Sequence, residues 1–402
     1  MTGSEVTLDS PAGQVGPHLA DDDYLTVTML ASGLARMVER RKRAAEGHRK
    51  GDGLLPAAWR VGFSRVWWRC LAQGVDAPAS DLELMEWCTR PVATWQLRLS
   101  LSEMDLQNCL VIAGELSEFA EQASRIGGRD VEAEWIENRV FEAMKTAATV
   151  NGGDDPDQVD AIYARLRKML ITCTVLSDRD LRDLEFAYPR ADGTGQTFVR
   201  RFINAAYTSR PAVGPVQLFE CPGCGNVVAD QTSACGTPGC VGGMVRSVTV
   251  NALAVVLEQH RAVRLFIHDP GLVEVRIMQA LEDDDNLRGR VRIKPYPGLD
   301  TLDVSVEFLA AGDAGEIQVI ETWGIDAKDH LSARLLGKTF EWPASMPCDR
   351  RFLALPNHRA SLVGYIDDLT AELDGRVQGV EVVAEKQLLA MVTRAAERLC
   401  NR

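Results

Sequence analysis

The sequence predicts a multidomain α+β protein with a helical N-terminal region, a small cysteine-containing ribbon and a C-terminal α/β core. Three observations support this prediction. Apolar residues recur at helical spacing from Tyr24 to Ala206, four of the ten cysteines lie between Cys221 and Cys240, and helical and strand periods alternate after about Gly271. The length of 402 residues fits two or three domains, at roughly 150 residues per domain.

Composition changes along the chain set the predicted domain boundaries. Residues 1–22 are polar and rich in Gly, Pro and Asp, so we expect a disordered tail, followed by a helical domain over 23–207. A proline-containing linker, 208–218, opens the ribbon of 208–250, and the α/β domain covers 251–402. Within the helical domain, the spacing predicts helices over 25–45, 106–125, 131–148 and 159–176.

The C-terminal part alternates between helix-like and strand-like segments. After the cysteines, the pattern predicts helices over 248–261, 272–281, 330–338, 362–373 and 386–399. It predicts strands over 290–294, 302–308, 317–327, 351–355 and 380–384. Three consecutive strands favour an antiparallel meander, and the later strand–helix–strand unit favours parallel pairing.

The cysteine cluster predicts a zinc site. Cys221 and Cys224 form one closely spaced pair, and Cys235 and Cys240 form a second pair, with ten residues between the two pairs. Four thiolates in a small loop select a tetrahedral zinc ion and leave no open position for substrate, so the site is structural. The alternative is four reduced cysteines without a metal. We expect the resulting zinc ribbon to brace a domain junction, although its outer face could also touch nucleic acid.

Net charge and hydropathy limit the partners of the protein. The formal charge of −13 rules out a generally basic nucleic-acid coat, but the C-terminal third is much closer to neutral. The N-terminus lacks the basic and apolar regions of a secretory signal, and no run of about 18 apolar residues occurs. We therefore expect a cytoplasmic protein without membrane contact.

Two acidic residues and a lysine carry the clearest chemical signal. Asp303 opens one apolar strand, and Asp326 and Lys328 end another, where alternate residues share a face. Carboxylates that converge in this way suit magnesium, and the lysine can orient or deprotonate water and neutralise a phosphate. Glu274, on the preceding helix, is a candidate third carboxylate. The alternative is an ordinary ion pair at the ends of surface strands.

These residues resemble the motif of the PD-(D/E)XK, or restriction-endonuclease-like, nucleases. Asp303 matches the aspartate of the second core strand, Asp326 and Lys328 match the (D/E)-x-K of the third, and Glu274 is similar in placement to the acid of the first core helix. The resemblance covers about a third of the chain, including the αβββαβ element order. It implies Mg²⁺- or Mn²⁺-dependent hydrolysis of DNA, or less often RNA.

The match to this motif has two departures. Leu302 stands where proline is commoner, and the third-strand acid is aspartate where glutamate is commoner. Glu307 and Glu321 are competing acids on the same strands.

Basic residues downstream are candidates for contacts with nucleic acid. Arg350, Arg351, His358 and Arg359 border the fourth strand and could form a rim that contacts phosphates. An ordinary solvated face explains the same residues equally well. His358 could contact a phosphate or assist proton transfer, but an ordinary loop histidine without a catalytic role is the expected interpretation.

The combination of a helical region, a zinc ribbon and an endonuclease core resembles the restriction-endonuclease proteins of prokaryotic PIWI-related (pPIWI-RE) defence systems. The resemblance implies a role against phage or plasmid DNA, with a PIWI-like protein and a helicase as partners. The chain itself has no GxxxxGK[ST] motif, so no ATPase activity is expected. We therefore expect a metal-dependent endonuclease; the alternative is a catalytically inactive nucleic-acid-binding or assembly subunit of a defence complex.

Overall fold

The protein is mixed α+β and divides into two compact units, residues 1–130 and 131–402, in a computed structural model. The predicted disordered tail, 1–22, lies outside the described residues. The structure describes residues 23–45, 55–127, 131–212, 214–228, 230–231, 235–240, 242–252, 255–260, 263–311, 316–343 and 346–400.

The first unit is mainly helical. Its helices are α1 (Asp23–Ala45), α2 (Ala57–Gln73), α3 (Asp81–Cys88), α4 (Glu103–Leu106) and α5 (Glu118–Gly127), and its two-stranded hairpin pairs β1 (Val111–Ile112) with β2 (Glu115–Leu116). The hairpin corrects the single helix predicted over 106–125. Ala113 and Gly114 have φ values of 51° and 81°, which form a tight turn that a helix cannot contain.

Helices α1 and α2 pack closely because a glycine lies at their crossing. A Cβ atom on Gly33 would lie 2.5 Å from Cβ of Trp59 and 2.6 Å from its Cα. Trp59 is fully buried, and its Nε1 donates a hydrogen bond to Asp81 at 2.6 Å. The glycine therefore sets the distance between the two helices.

The second unit begins with four helices and a small sheet. The helices are α6 (Val131–Gly152), α7 (Pro156–Thr172), α8 (Asp178–Ala187) and α9 (Phe198–Ala206). Strand β8 (Val255–Gln259) pairs with β3 (Val175–Ser177) on one side and β4 (Tyr207–Pro211) on the other. The sequence predicts that residues 131–207 belong to the same helical domain as residues 23–130. In the structure, many apolar side chains of residues 131–207 belong instead to the core of the second unit.

The cysteine region forms a three-stranded antiparallel ribbon. Strand β5 (Gly214–Glu220) pairs with β6 (Val227–Val228) and β7 (Arg246–Ala252). The helix predicted over 248–261 is wrong, because β7 and β8 cover most of that range. Val248 and Val250 prefer extended backbone, and β5 provides the hydrogen-bond partners for β7.

The C-terminal elements build a five-stranded sheet. Its helices are α10 (Asp269–Asp283), α11 (Ala333–Thr339), α12 (Asn357–Ala360), α13 (Tyr365–Leu373) and α14 (Glu385–Leu399). Its strands are β9 (Val291–Pro295), β10 (Val304–Ala311), β11 (Ile317–Ala327), β12 (Arg350–Leu355) and β13 (Val380–Ala384).

The strand order in this sheet is β13-β12-β11-β10-β9. Strands β9, β10 and β11 pair antiparallel, whereas β11, β12 and β13 pair parallel. The predicted meander and the predicted parallel pairing are both confirmed. Trp323 of β11 packs between Phe308 of β10 and Phe352 of β12, edge-to-face with the first and tilted against the second, with ring centroids 4.9 Å apart in each pair. This aromatic row holds the three central strands together.

Every helix among the described residues is too short or too polar to cross a membrane.

We predict that Gly33→Ala destabilises the first unit by about 2 kcal/mol, because the added methyl group overlaps the Trp59 backbone and forces the helices apart. The helix propensity of alanine offsets only part of this loss. Denaturant unfolding followed by circular dichroism measures the effect. Gly193→Ala is the matched control, since a Cβ there has no neighbour within 4 Å. Equal stability of the two variants would contradict the close crossing.

Candidate active site and cysteine cluster

The register of β10 and β11 brings Asp303, Asp326 and Lys328 together. Val304 pairs with Ile325, so Asp303 lies beside the end of β11. The backbone N–H of Ala327 donates a 2.6 Å hydrogen bond to Oδ2 of Asp303, which fixes that carboxylate. Nζ of Lys328 lies 3.7 Å from Oδ2 of Asp303 and forms an ion pair with Asp326.

The electrostatics of this group follow from burial and charge. Burial and the nearby Glu274 and Asp326 carboxylates hold the pKa of Asp303 well above its usual range, against the opposing effect of Lys328. Burial lowers the pKa of Lys328, but Asp303 and Asp326 outweigh it and raise that pKa. Lys328 is thus a cation, and its side chain is 40% exposed, so the site opens to solvent at the lysine.

Glu274 lies on α10 near these residues, but its closest cation comes from another helix. Nη2 of Arg167, on α7, donates a hydrogen bond to Oε1 of Glu274 at 3.2 Å. Both side chains are buried, at 8% and 5% exposure. Burial raises the pKa of Glu274, whereas Arg167 opposes that rise. The structure therefore places Glu274 beside the site with one carboxylate oxygen already engaged.

A strained turn before Asp303 adds another acid that the sequence analysis missed. Tyr296, Leu299 and Asp300 have positive φ values of 47°, 56° and 77°. Such backbone costs of order 1–3 kcal/mol per residue and is concentrated at functional sites. The turn presents Asp300 to Arg167, with Oδ1 of Asp300 4.0 Å from Nε. In the sequence, Arg167 could have been identified as a charged residue within the apolar face of α7.

The carboxylates are hard oxygen donors of the kind that bind Mg²⁺ or Mn²⁺. Oε2 of Glu274 is buried without a hydrogen bond of normal geometry. Among the described residues, the ligand atoms of three or more metal-binding side chains lie within 4.8 Å of one another only in the cysteine cluster. The carboxylate oxygens of Glu274, Asp303 and Asp326 therefore do not form an equally tight group. The donor set fits a metal held mainly by Asp303 and Asp326.

The two competing acids are engaged elsewhere. Glu307 forms ion pairs with Arg292 at 3.1 Å and with Lys294 at 2.7 Å. Oε1 of Glu321 accepts a 2.6 Å hydrogen bond from Nε1 of Trp323. Neither contact involves Lys328.

The four cysteines of the ribbon converge on one point. Their Sγ atoms all lie within 4.8 Å of one another, with Cys221 and Cys240 at 3.6 Å and Cys224 and Cys235 at 3.3 Å. Although burial raises the pKa of Cys221, backbone N–H groups and neighbouring thiols outweigh it and lower the value to about 7. This cluster could hold a structural metal ion.

The ribbon contacts elements that lead to the acidic site. Nδ2 of Asn226 donates a 2.9 Å hydrogen bond to Asp269, the first residue of the helix that carries Glu274. The His358 ring lies against Gly239 and leaves no room for a Cβ atom there. These contacts join the cysteine loops to the start of α10 and to His358 after β12.

The candidate basic residues occupy two different places. Arg359 is buried and donates a 2.7 Å hydrogen bond to Asp329, and Nε2 of His358 lies 3.4 Å from the same carboxylate. Arg350 pairs with Trp323 and Arg351 pairs with Gly324, both on β11. These partners lie three residues before Asp326 and Ala327, so the two arginines are roughly 10 Å along the sheet from the acidic site.

Arg350 also has partners within the protein. It forms an ion pair with Glu381 at 2.6 Å and lies over the Trp323 ring, 4.7 Å from its centroid. A phosphate-contacting rim of these four residues stays a prediction.

Two family models match the chain. Residues 271–399, which contain the five-stranded sheet and the acidic site, match "REase associating with pPIWI_RE". Residues 26–177, which contain Arg167, match "pPIWI_RE three-gene island domain Y". No curated protein and no solved structure matches the chain. The two matches name the same system, together span most of the chain and support its assignment to the REases that associate with pPIWI-RE.

Proposed function

We propose that the protein is a metal-dependent endonuclease that hydrolyses phosphodiester bonds, of DNA in preference to RNA, in bacterial defence against phages and plasmids. The convergence of Asp303, Asp326 and Lys328, within the region that matches the REase model, supports this proposal. The pPIWI-RE family also supports partnership with a PIWI-like protein and a helicase.

The roles of the residues follow from their geometry. Asp303 and Asp326 would hold Mg²⁺ or Mn²⁺, with Glu274 beside them. The bound ion would polarise the phosphodiester and stabilise charge on the leaving oxygen. Lys328 is partly exposed and pairs with Asp326, so it would orient or deprotonate the attacking water and neutralise the scissile phosphate.

The competing function is a catalytically inactive nucleic-acid-binding or assembly subunit. The buried position of Asp303, its fixed hydrogen bond and the adjacent strained turn argue against it, because an inactive site has no need for this costly arrangement.

We also propose that the cysteine cluster holds a structural zinc ion. Four converging thiolates select zinc, and a complete set leaves no position for a substrate. The contacts of Asn226 and Gly239 imply that the ion stabilises the supports of the acidic site.

Asp326→Ala and Lys328→Ala should each lower cleavage by about 100-fold or more, because each removes charge stabilisation at the phosphate. Plasmid and single-stranded substrates with Mg²⁺ or Mn²⁺, assayed with and without the partner proteins, measure this loss. Circular dichroism checks that both variants fold.

Glu307→Gln is the matched control for these variants, since it removes a carboxylate from the adjacent strand and should retain cleavage. Failure of the wild-type protein to cut any nucleic acid with its partners would contradict the proposal.

The purified protein should contain about one zinc ion per chain, measured by elemental analysis, and Cys235→Ser should lose most of it. Because the thiolates hold the ion together, the variant should also unfold at a lower temperature. Cys400→Ser, a cysteine outside the cluster, should retain the zinc. Wild-type protein that is folded and free of zinc would refute the site.

A further inference from the structure

Arg167 lies in a charged pocket that the proposed catalytic residues alone do not explain. Its guanidinium carbon lies 5.1 Å from the centroid of the Phe141 ring and 5.7 Å from that of Tyr296. One nitrogen donates to Glu274 at 3.2 Å, and another lies 4.0 Å from Asp300. A buried arginine is costly unless it is paired, so this position requires both acids.

One face of α7 holds the turn that presents Asp300. Asp160 accepts hydrogen bonds from the backbone N–H groups of Gly298 and Leu299, at 3.2 and 3.3 Å. Tyr163, one turn along the helix, packs on Tyr296 with ring centroids 6.4 Å apart. Arg167 follows one further turn along the same face. The helix therefore supplies both the support for the strained turn and the cation that faces it.

The charges of the whole site are unequal. In the ionised form that metal binding requires, four carboxylates, those of Glu274, Asp300, Asp303 and Asp326, face two cations, Arg167 and Lys328. One divalent ion would balance the remaining two charges. Without Arg167, three negative charges would remain in a largely buried site, which favours a second divalent ion.

Two nitrogen atoms of Arg167 have hydrogen-bonding capacity to spare. Nε and Nη1 of Arg167 are buried without a hydrogen bond, whereas the hydroxyl group of Tyr163 interacts with Asp300 and that of Tyr296 with Glu274. Buried polar groups in proteins are nearly always satisfied, so unsatisfied ones at a site call for an explanation. Here they belong to the guanidinium group that already pairs with Glu274 and lies 4.0 Å from Asp300.

We propose that Arg167 is a positioning residue that takes the place of a second divalent cation, so that the acidic site binds a single metal ion. This inference rests on the proposed metal-dependent function and deepens it. Arg167 holds Glu274 and Asp300 by charge, which leaves Asp303 and Asp326 as the principal metal ligands.

Calorimetric titration of the zinc-loaded full chain with Mn²⁺ tests the proposal. The wild type and Arg167→Lys, which keeps the charge, should bind one Mn²⁺. Arg167→Met should bind two Mn²⁺ ions. The electron paramagnetic resonance spectrum of these two ions should show a coupled pair, because metal ions that share carboxylates lie close together. The double variant Arg167→Met/Glu274→Gln removes one charge of each sign and should return to one ion.

The outcomes separate this inference from the proposed function. Two ions in the wild type, or one in a folded Arg167→Met variant, would overturn the role of Arg167 and leave the nuclease proposal intact. If the wild type bound no Mn²⁺, this result would instead contradict the proposed metal-dependent function itself. If Arg167→Met folds poorly, Mn²⁺ should raise its unfolding temperature more than that of the double variant; an equal rise would also overturn the inference.

Discussion

The ion pairs among buried charges at the end of the β10–β11 pair are the constraint on which the site depends. Asp303 is held by the backbone of Ala327, and Lys328 joins it to Asp326. Glu274 and Asp300 are held separately by Arg167. Isolated charges of this kind cannot remain buried, so each acid fixes the place of a cation. The turn, the helix α7 and the two strands are positioned accordingly.

The same charge balance connects regions that are far apart in sequence. Arg167 and Glu274 are separated by 107 positions and belong to different family matches, domain Y and REase. Their ion pair means that the region before the ribbon contributes directly to the acidic site. The ribbon adds a further connection, because Asn226 binds the first residue of α10. The site is therefore a property of the whole second unit and cannot be assigned to its C-terminal sheet alone.

Part of this arrangement was predictable from local sequence. Asp303, Asp326 and Lys328 sit at the ends of apolar strands, and strand alternation places the last two on one face; the observed register brings all three together. Four cysteines in two close pairs predict their own convergence. The sequence predicts a helix over the β7 and β8 segments because valine-rich runs fit either period; the pairing of β7 with β5, and of β8 with β3 and β4, decides for strands. Arg167 could not be connected to Glu274, because no local pattern encodes a contact between distant helices.

The proposed site requires Asp303 and Asp326 to bind one divalent ion beside Lys328. Anomalous diffraction from crystals that contain Mn²⁺ would locate the ion and count it in one measurement. We expect a single manganese peak bound by the two aspartates, with Arg167 still paired to Glu274. The absence of manganese at these aspartates, or a second peak between Glu274 and Asp300, would contradict the single-ion site.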